Sequence, residues 1–261
     1  MDYEFQTGLT ILRYRIATIQ SARQIPRVRE FVLKEKREAP WAAGLRAARA
    51  NLIPGFILQA IMLSLLLGYY FYPPTTALLN QLADLKAEWG YLYSIVASVI
   101  AGAVIPEVMR ITIFQKAKVT RANLGNFLFA AFHWAWSGAL VDFLYRQQAS
   151  WFGTEITFTV VATKVFIDQF IFNPFFAAPV NSWAYDWKNA GFPLRGIHLF
   201  FTLRYYRNTV VPTLVATWGV WIPVVTILYS LPPLLQVPLF ALALSLWVMI
   251  FTWMSEQRVT R

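Results

Sequence analysis

The chain has no cysteine in its 261 residues, which excludes disulfides, thiol nucleophiles and thiolate metal sites together. Histidine is nearly as scarce: His133 and His198 are the only two, too few for a multi-histidine metal centre. Charge is sparse as well, at 14% of residues, where a soluble domain carries roughly 25%. No H-E-x-x-H, G-x-S-x-G or paired intramembrane acids occur. Ser137 lies four residues after His133, but a serine–histidine spacing without an oxyanion element is a weak basis for catalysis. No enzyme activity and no cofactor are therefore expected.

What remains is overwhelmingly apolar. Hydrophobic residues make up 57% of the chain, and several runs reach the roughly 20 residues that a membrane helix needs. The composition describes an all-α, polytopic membrane helix bundle. The net charge of +10 would suggest nucleic acid in a soluble protein. In a membrane protein, basic loops instead mark the cytoplasmic or matrix side and attract anionic lipid, so nucleic acid is not an expected partner.

Residues 1–50 read as a basic interfacial arm, in which Leu9, Leu12, Ile16 and Ile19 recur at helical spacing among ten basic and five acidic residues. Its length and interspersed acids fit neither a cleaved signal nor a transit peptide. Residues 51–255 form the bundle, with spans expected at 52–72, 91–113, 124–146, 156–178, 209–230 and 236–253, and 256–261 as a tail. Pro73 and Pro74 are expected to end the first span before a slightly acidic loop to Gly90. Residues 179–208 read as an aromatic, basic connector with an interfacial helix from about Leu194. Segments sharing the N-terminal side carry +5, +3, +3 and +1, against −1, −1 and 0 on the other side. Six spans with both termini on the cytoplasmic or matrix side satisfy the positive-inside rule. The proline-rich end leaves open a broken or re-entrant final hairpin.

The expected functional centre is residues 163–176, TKVFIDQFIFNPFF. A charge at mid-membrane costs roughly 2.5–3.5 kcal/mol on insertion scales, and this span holds Lys164, Asp168, Gln169 and Asn173. Lys164 and Asp168 are four residues apart, so they share a face on which each can partly neutralise the other. Pro174 then interrupts the backbone. Glu107, preceded by Pro106 and three residues from Arg110, and His133 in mid-span are further candidates. Asp142 and Arg146 read as a pair that snorkels to the interface near a helix end.

From about residue 95 to 255 the chain resembles a family of small peroxisomal and mitochondrial inner-membrane proteins, typified by the twenty-two-kilodalton peroxisomal membrane protein. The resemblance rests first on Lys164-Val-Phe-Ile-Asp168-Gln169 with Pro174, similar to that family's K-V-x-x-D-Q-x-x-x-x-P signature. It rests next on Trp218-Gly-Val-Trp221-Ile-Pro223, similar to its W-x-V-W-P element with the proline one residue late. Gly138, Tyr145, Arg121 and Pro233 fit further positions, while Ala139 and Asp142 replace a proline and a histidine. Where the family shows Q-x-x-N-F and a later arginine, this chain has Val225, Leu228, Tyr229 and Val237, without charge or amide. The resemblance implies a channel-like protein for small solutes.

Two functions follow. In the leading one, Lys164, Asp168, Gln169 and Glu107, with His133 nearby, line or gate a path for small solutes. In the alternative, a non-conducting membrane scaffold, the same residues tether helices and the basic arm docks anionic lipid or a partner. A homo-oligomer is open in either case, with the Gly/Ala-rich second span as the expected close-packing surface. A water-filled cavity beside Asp168 would favour the pore, and a carboxylate sealed among side chains the tether.

Overall fold

The computed structural model describes residues 39–194 and 196–259, excepting the side chains of Phe114 and of residues 250–259. Most of the expected basic arm, residues 1–38, lies outside them. The described residues contain helix and no strand, as the composition requires. The helices are α1 (Pro40–Ala50), α2 (Leu52–Phe71), α3 (Pro73–Trp89), α4 (Tyr91–Ile113), α5 (Arg121–Phe152), α6 (Phe158–Asn189), α7 (Leu203–Tyr229) and α8 (Pro233–Val259). Five of them, α2, α4, α5, α6 and α7, are long and apolar enough to cross a membrane. The sixth expected span is α8, whose apolar part Pro233–Met249 is shorter. The protein is an all-α polytopic helix bundle.

Three boundaries differ from expectation. Residues 73–90 are not a loop: Pro73 and Pro74 end α2 and then open α3, because a proline at the first helical positions gives up an N–H that would have no partner there. α5 extends well beyond 124–146. α6 runs on to Asn189, through the first part of the expected connector, and a 3-10 turn at Ile197–Phe201 leads almost directly into α7.

Pro174 does not break its helix. The backbone widens to a π-helix over Ile167–Ala177 and continues. The same device precedes Pro106, after a π-turn at Ile100–Val104, and Pro212, after one at Tyr206–Val210. A proline clashes with the carbonyl four residues back, and a wider turn moves that carbonyl away while keeping the chain helical.

The chain forms two compact units. The larger comprises residues 50–170 and 217–261. Its core brings Leu58 and Met62 of α2, Leu79 of α3, Val220, Val224 and Leu228 of α7 and Leu235, Leu239 and Ala243 of α8 together, all buried. Small residues set the approach of α4 to α5: a side chain at Gly138 would strike Ser98 and the Ser94 carbonyl, and one at Gly102 would strike the Trp134 ring. The Gly/Ala-rich face of α4, expected to be available to a multimer, is thus used inside the chain, with Ala101, Gly102 and Ala103 buried.

The smaller unit comprises the described residues up to Arg49 together with 171–216. Here Gly44 lets α1 lie against Pro212 and Val215 of α7. Trp183 and Trp187 stack with their planes 6° apart, and Tyr205 Oη donates to Asp186 at 2.7 Å. Tyr206 Oη donates to the Pro174 carbonyl at 3.1 Å.

Candidate functional site

The expected ion pair of α6 does not form. Lys164 is 2% exposed, yet its ammonium turns back to the end of α5 and donates to the Gly153 carbonyl at 2.6 Å. That carbonyl lies just past the last turn of α5, where backbone acceptors lack helical partners and the helix dipole favours a cation. Asp168 is 8% exposed and takes two other donors, Tyr229 Oη at 2.9 Å and Gln169 Nε2 at 3.1 Å. Tyr229 in turn accepts from Gln148 Nε2 at 2.7 Å. The Lys164 ammonium is 6.0 Å from the Tyr229 ring centroid, and the Tyr145 ring meets that tyrosine at 5.1 Å. One tyrosine therefore joins α5, α6 and α7.

Tyr229 occupies a position where the family resemblance led to an expected loss of polar character. Its hydroxyl restores a donor to Asp168. The cluster is not fully satisfied: the amide oxygens of Gln148 and Gln169 are buried without a hydrogen-bond partner.

Gln169 contributes a second link through its backbone. The Trp218 indole donates to the Gln169 carbonyl at 3.1 Å, and the Phe170 and Trp218 rings meet at 5.2 Å. Gln169 lies five residues before Pro174, the spacing of a π-helical hydrogen bond. Proline has no N–H to fill that bond, so the carbonyl is released to the indole. This joins the two motifs that carry the resemblance, Asp168-Gln169 with Pro174 and Trp218 with Trp221. Trp221 packs against Phe240 and Trp247 of α8, and Pro223 lies within α7.

A second buried cluster joins α3, α4 and α5, and sequence spacing predicts only its Asp142–Arg146 pair. Lys86 of α3 donates to Asp142 of α5 at 2.5 Å, to Ser94 Oγ of α4 at 2.9 Å and to the Gly90 carbonyl at 2.7 Å. Both charged residues are 2% exposed. Asp142 also accepts from Ser94 and, at 3.0 Å, from Arg146. Burial pushes the Lys86 ammonium below the ordinary lysine range, and the bonded Asp142 carboxylate opposes the shift. The expected Asp142–Arg146 pair is present, but only Arg146 reaches outward, half-exposed and lying over the Tyr91 ring at 4.8 Å. Asp142 instead turns inward, to Lys86 and Ser94. Beside this cluster is a cavity of about 210 Å³ lined by Lys86, Asp142, Tyr145, Arg146 and Gln236 among others.

The remaining candidates lie elsewhere. Glu107 pairs with Arg110 at 3.1 Å, as their spacing predicts, and accepts from Asn123 Nδ2 at 2.5 Å. Asn123 Oδ1 also accepts from the Thr120 backbone at 2.6 Å, so Glu107 ties α4 to the start of α5. His133 is buried among Phe129, Trp134 and Trp136, with ring centroids 5.6–6.1 Å away. Glu107 is thus engaged by Arg110 and Asn123, and the His133 ring by aromatic neighbours on its own helix. Among the described residues, no group of three or more His, Asp or Glu side chains is placed to hold a metal ion.

The chain matches no protein-family model, no curated protein and no solved structure.

Proposed function

We propose that the protein is a non-conducting membrane scaffold, in which the polar set of α6 locks the bundle together. The observation behind this reading is the environment of Asp168. Both carboxylate oxygens are engaged by side chains within the bundle, Oδ1 by the Gln169 amide and Oδ2 by the Tyr229 hydroxyl, and the residue is 8% exposed. A carboxylate serving a path for solutes would need water or a transient partner on at least one oxygen. Lys164 supports the same reading, because its ammonium satisfies the end of a neighbouring helix. On this account the family resemblance reflects shared helix-tying chemistry, and a channel-like activity does not carry over.

The test is conductance in planar bilayers. The reconstituted wild-type protein is expected to add no current above the bare membrane, with Asp168→Asn and Lys164→Met equally silent. A wild-type conductance that either substitution alters would establish the pore reading in its place. Its route would then start from the polar cavity beside Lys86 and Asp142.

A further inference from the structure

In the smaller unit, a cleft of about 710 Å³ opens between the second half of α6 and the start of α7, lined by Phe175, Val180, Trp183, Phe200, Leu203 and Tyr206 among others. Its volume lies in the range of sites for small organic molecules. The hydroxyls around it are already committed within the chain: Tyr205 to Asp186, Tyr206 to the Pro174 carbonyl and Thr202 to the Leu199 carbonyl. An occupant therefore meets a mainly apolar, aromatic wall, in which Trp183 carries a buried indole N–H without a hydrogen-bond partner. Phe175, Phe201 and Leu203 are exposed at the cleft, where an acyl chain can enter from the bilayer. Arg204 and Arg207, one turn apart and both exposed, lie on the helical segment that supplies Leu203, Tyr206 and Val210 to the lining. An apolar slot on a helical segment that also carries two exposed arginines matches one chemistry, a hydrocarbon chain attached to a negatively charged head.

We infer that this cleft is a binding site for a single anionic phospholipid, with one acyl chain between α6 and α7 and the phosphate at Arg204 and Arg207. The site is separate from the basic arm and stands whether or not the protein conducts. It fixes one lipid where the arm would attract the surface as a whole.

The full chain in detergent would be titrated with phosphatidylglycerol and with phosphatidylcholine of identical chains, and bound lipid counted by native mass spectrometry. Wild type is expected to retain phosphatidylglycerol in preference to phosphatidylcholine. Arg204→Gln with Arg207→Gln should weaken phosphatidylglycerol by about thirtyfold, the weight of two basic side chains at an anionic surface, and leave phosphatidylcholine unchanged. Both arginines are exposed, and a thermal melt of the variant in detergent reads separately whether the fold is kept. Val180→Trp, which fills the slot, should weaken both lipids. Inorganic phosphate at millimolar concentration should not displace the lipid. Equal retention of the two lipids by wild type would overturn the site, as would arginine variants indistinguishable from wild type. Displacement by inorganic phosphate would assign the arginines to a free anion and would equally overturn it.

Discussion

The two buried clusters of the larger unit handle charge in opposite ways. Lys86 and Asp142 are 56 residues apart in sequence and form a direct ion pair, with Ser94 and the Gly90 carbonyl completing the shell. Lys164 and Asp168 are four residues apart on one helix and stay separate, each satisfied by a group from elsewhere. A shared helical face brings side chains within reach of one another but does not decide which bonds they make. The end of α5 offers Lys164 an otherwise unused carbonyl, and Tyr229 offers Asp168 a neutral donor. Separate satisfaction keeps each group tied to a different helix, which a pair within α6 would not do.

The contrast is broken most severely at Asp142. Asp142→Asn leaves Lys86 buried beside a neutral side chain and is expected to cost about 3–5 kcal/mol, read as the loss of thermal stability in detergent. Replacing both partners, Lys86→Met with Asp142→Leu, should recover most of that loss, since buried pairs contribute little beyond apolar packing. Failure of the double variant to recover would mean that the pair itself, and not the avoidance of a lone charge, supports the bundle.

The α6 pair should behave differently. Asp168→Asn and Lys164→Met are each expected to cost about 1–3 kcal/mol through lost hydrogen bonds. Combined, they should couple far less than Lys86 and Asp142 do, because the two share no direct bond and meet only through Tyr229. A coupling as large as that between Lys86 and Asp142 would show that the two residues interact after all.

The smallest expected effect concerns the backbone link. Trp218→Phe should cost about 1 kcal/mol by stranding the Gln169 carbonyl. In a Pro174→Ala background the restored N–H can reach that carbonyl, so the same substitution should become nearly neutral. Equal costs in both backgrounds would refute the proline-released carbonyl.

The parts of this structure that could be read from sequence were local ones. Apolar runs revealed the spans, and spacings of three and four residues revealed Glu107–Arg110 and Asp142–Arg146. α3 also left a trace, in Pro73-Pro74 and in leucines at helical intervals. Its pattern is mixed, however: Leu79 is buried and Asp84 and Glu88 are exposed, but Leu78, Leu85 and Trp89 are exposed too while Lys86 is buried, so the segment reads as a slightly acidic loop. The partners of Lys86, Lys164 and Asp168 come from other helices, and no spacing rule reaches across 56 or 61 residues. Tyr229 carries neither the charge nor the amide that the resemblance puts in its region, whereas a hydroxyl is enough to bind a carboxylate.

The central claim is that Asp168 is sealed inside the bundle, and a chain without native cysteine allows a direct test. Single cysteines placed at residues 165, 168, 169 and 146 would be treated with a water-soluble maleimide in membrane vesicles opened to both sides. The account predicts labelling at 146, where Arg146 is half-exposed, and none at 165, 168 or 169 until the protein is denatured. Rapid labelling at 168 and 169 in the folded protein would place water beside the carboxylate and contradict it.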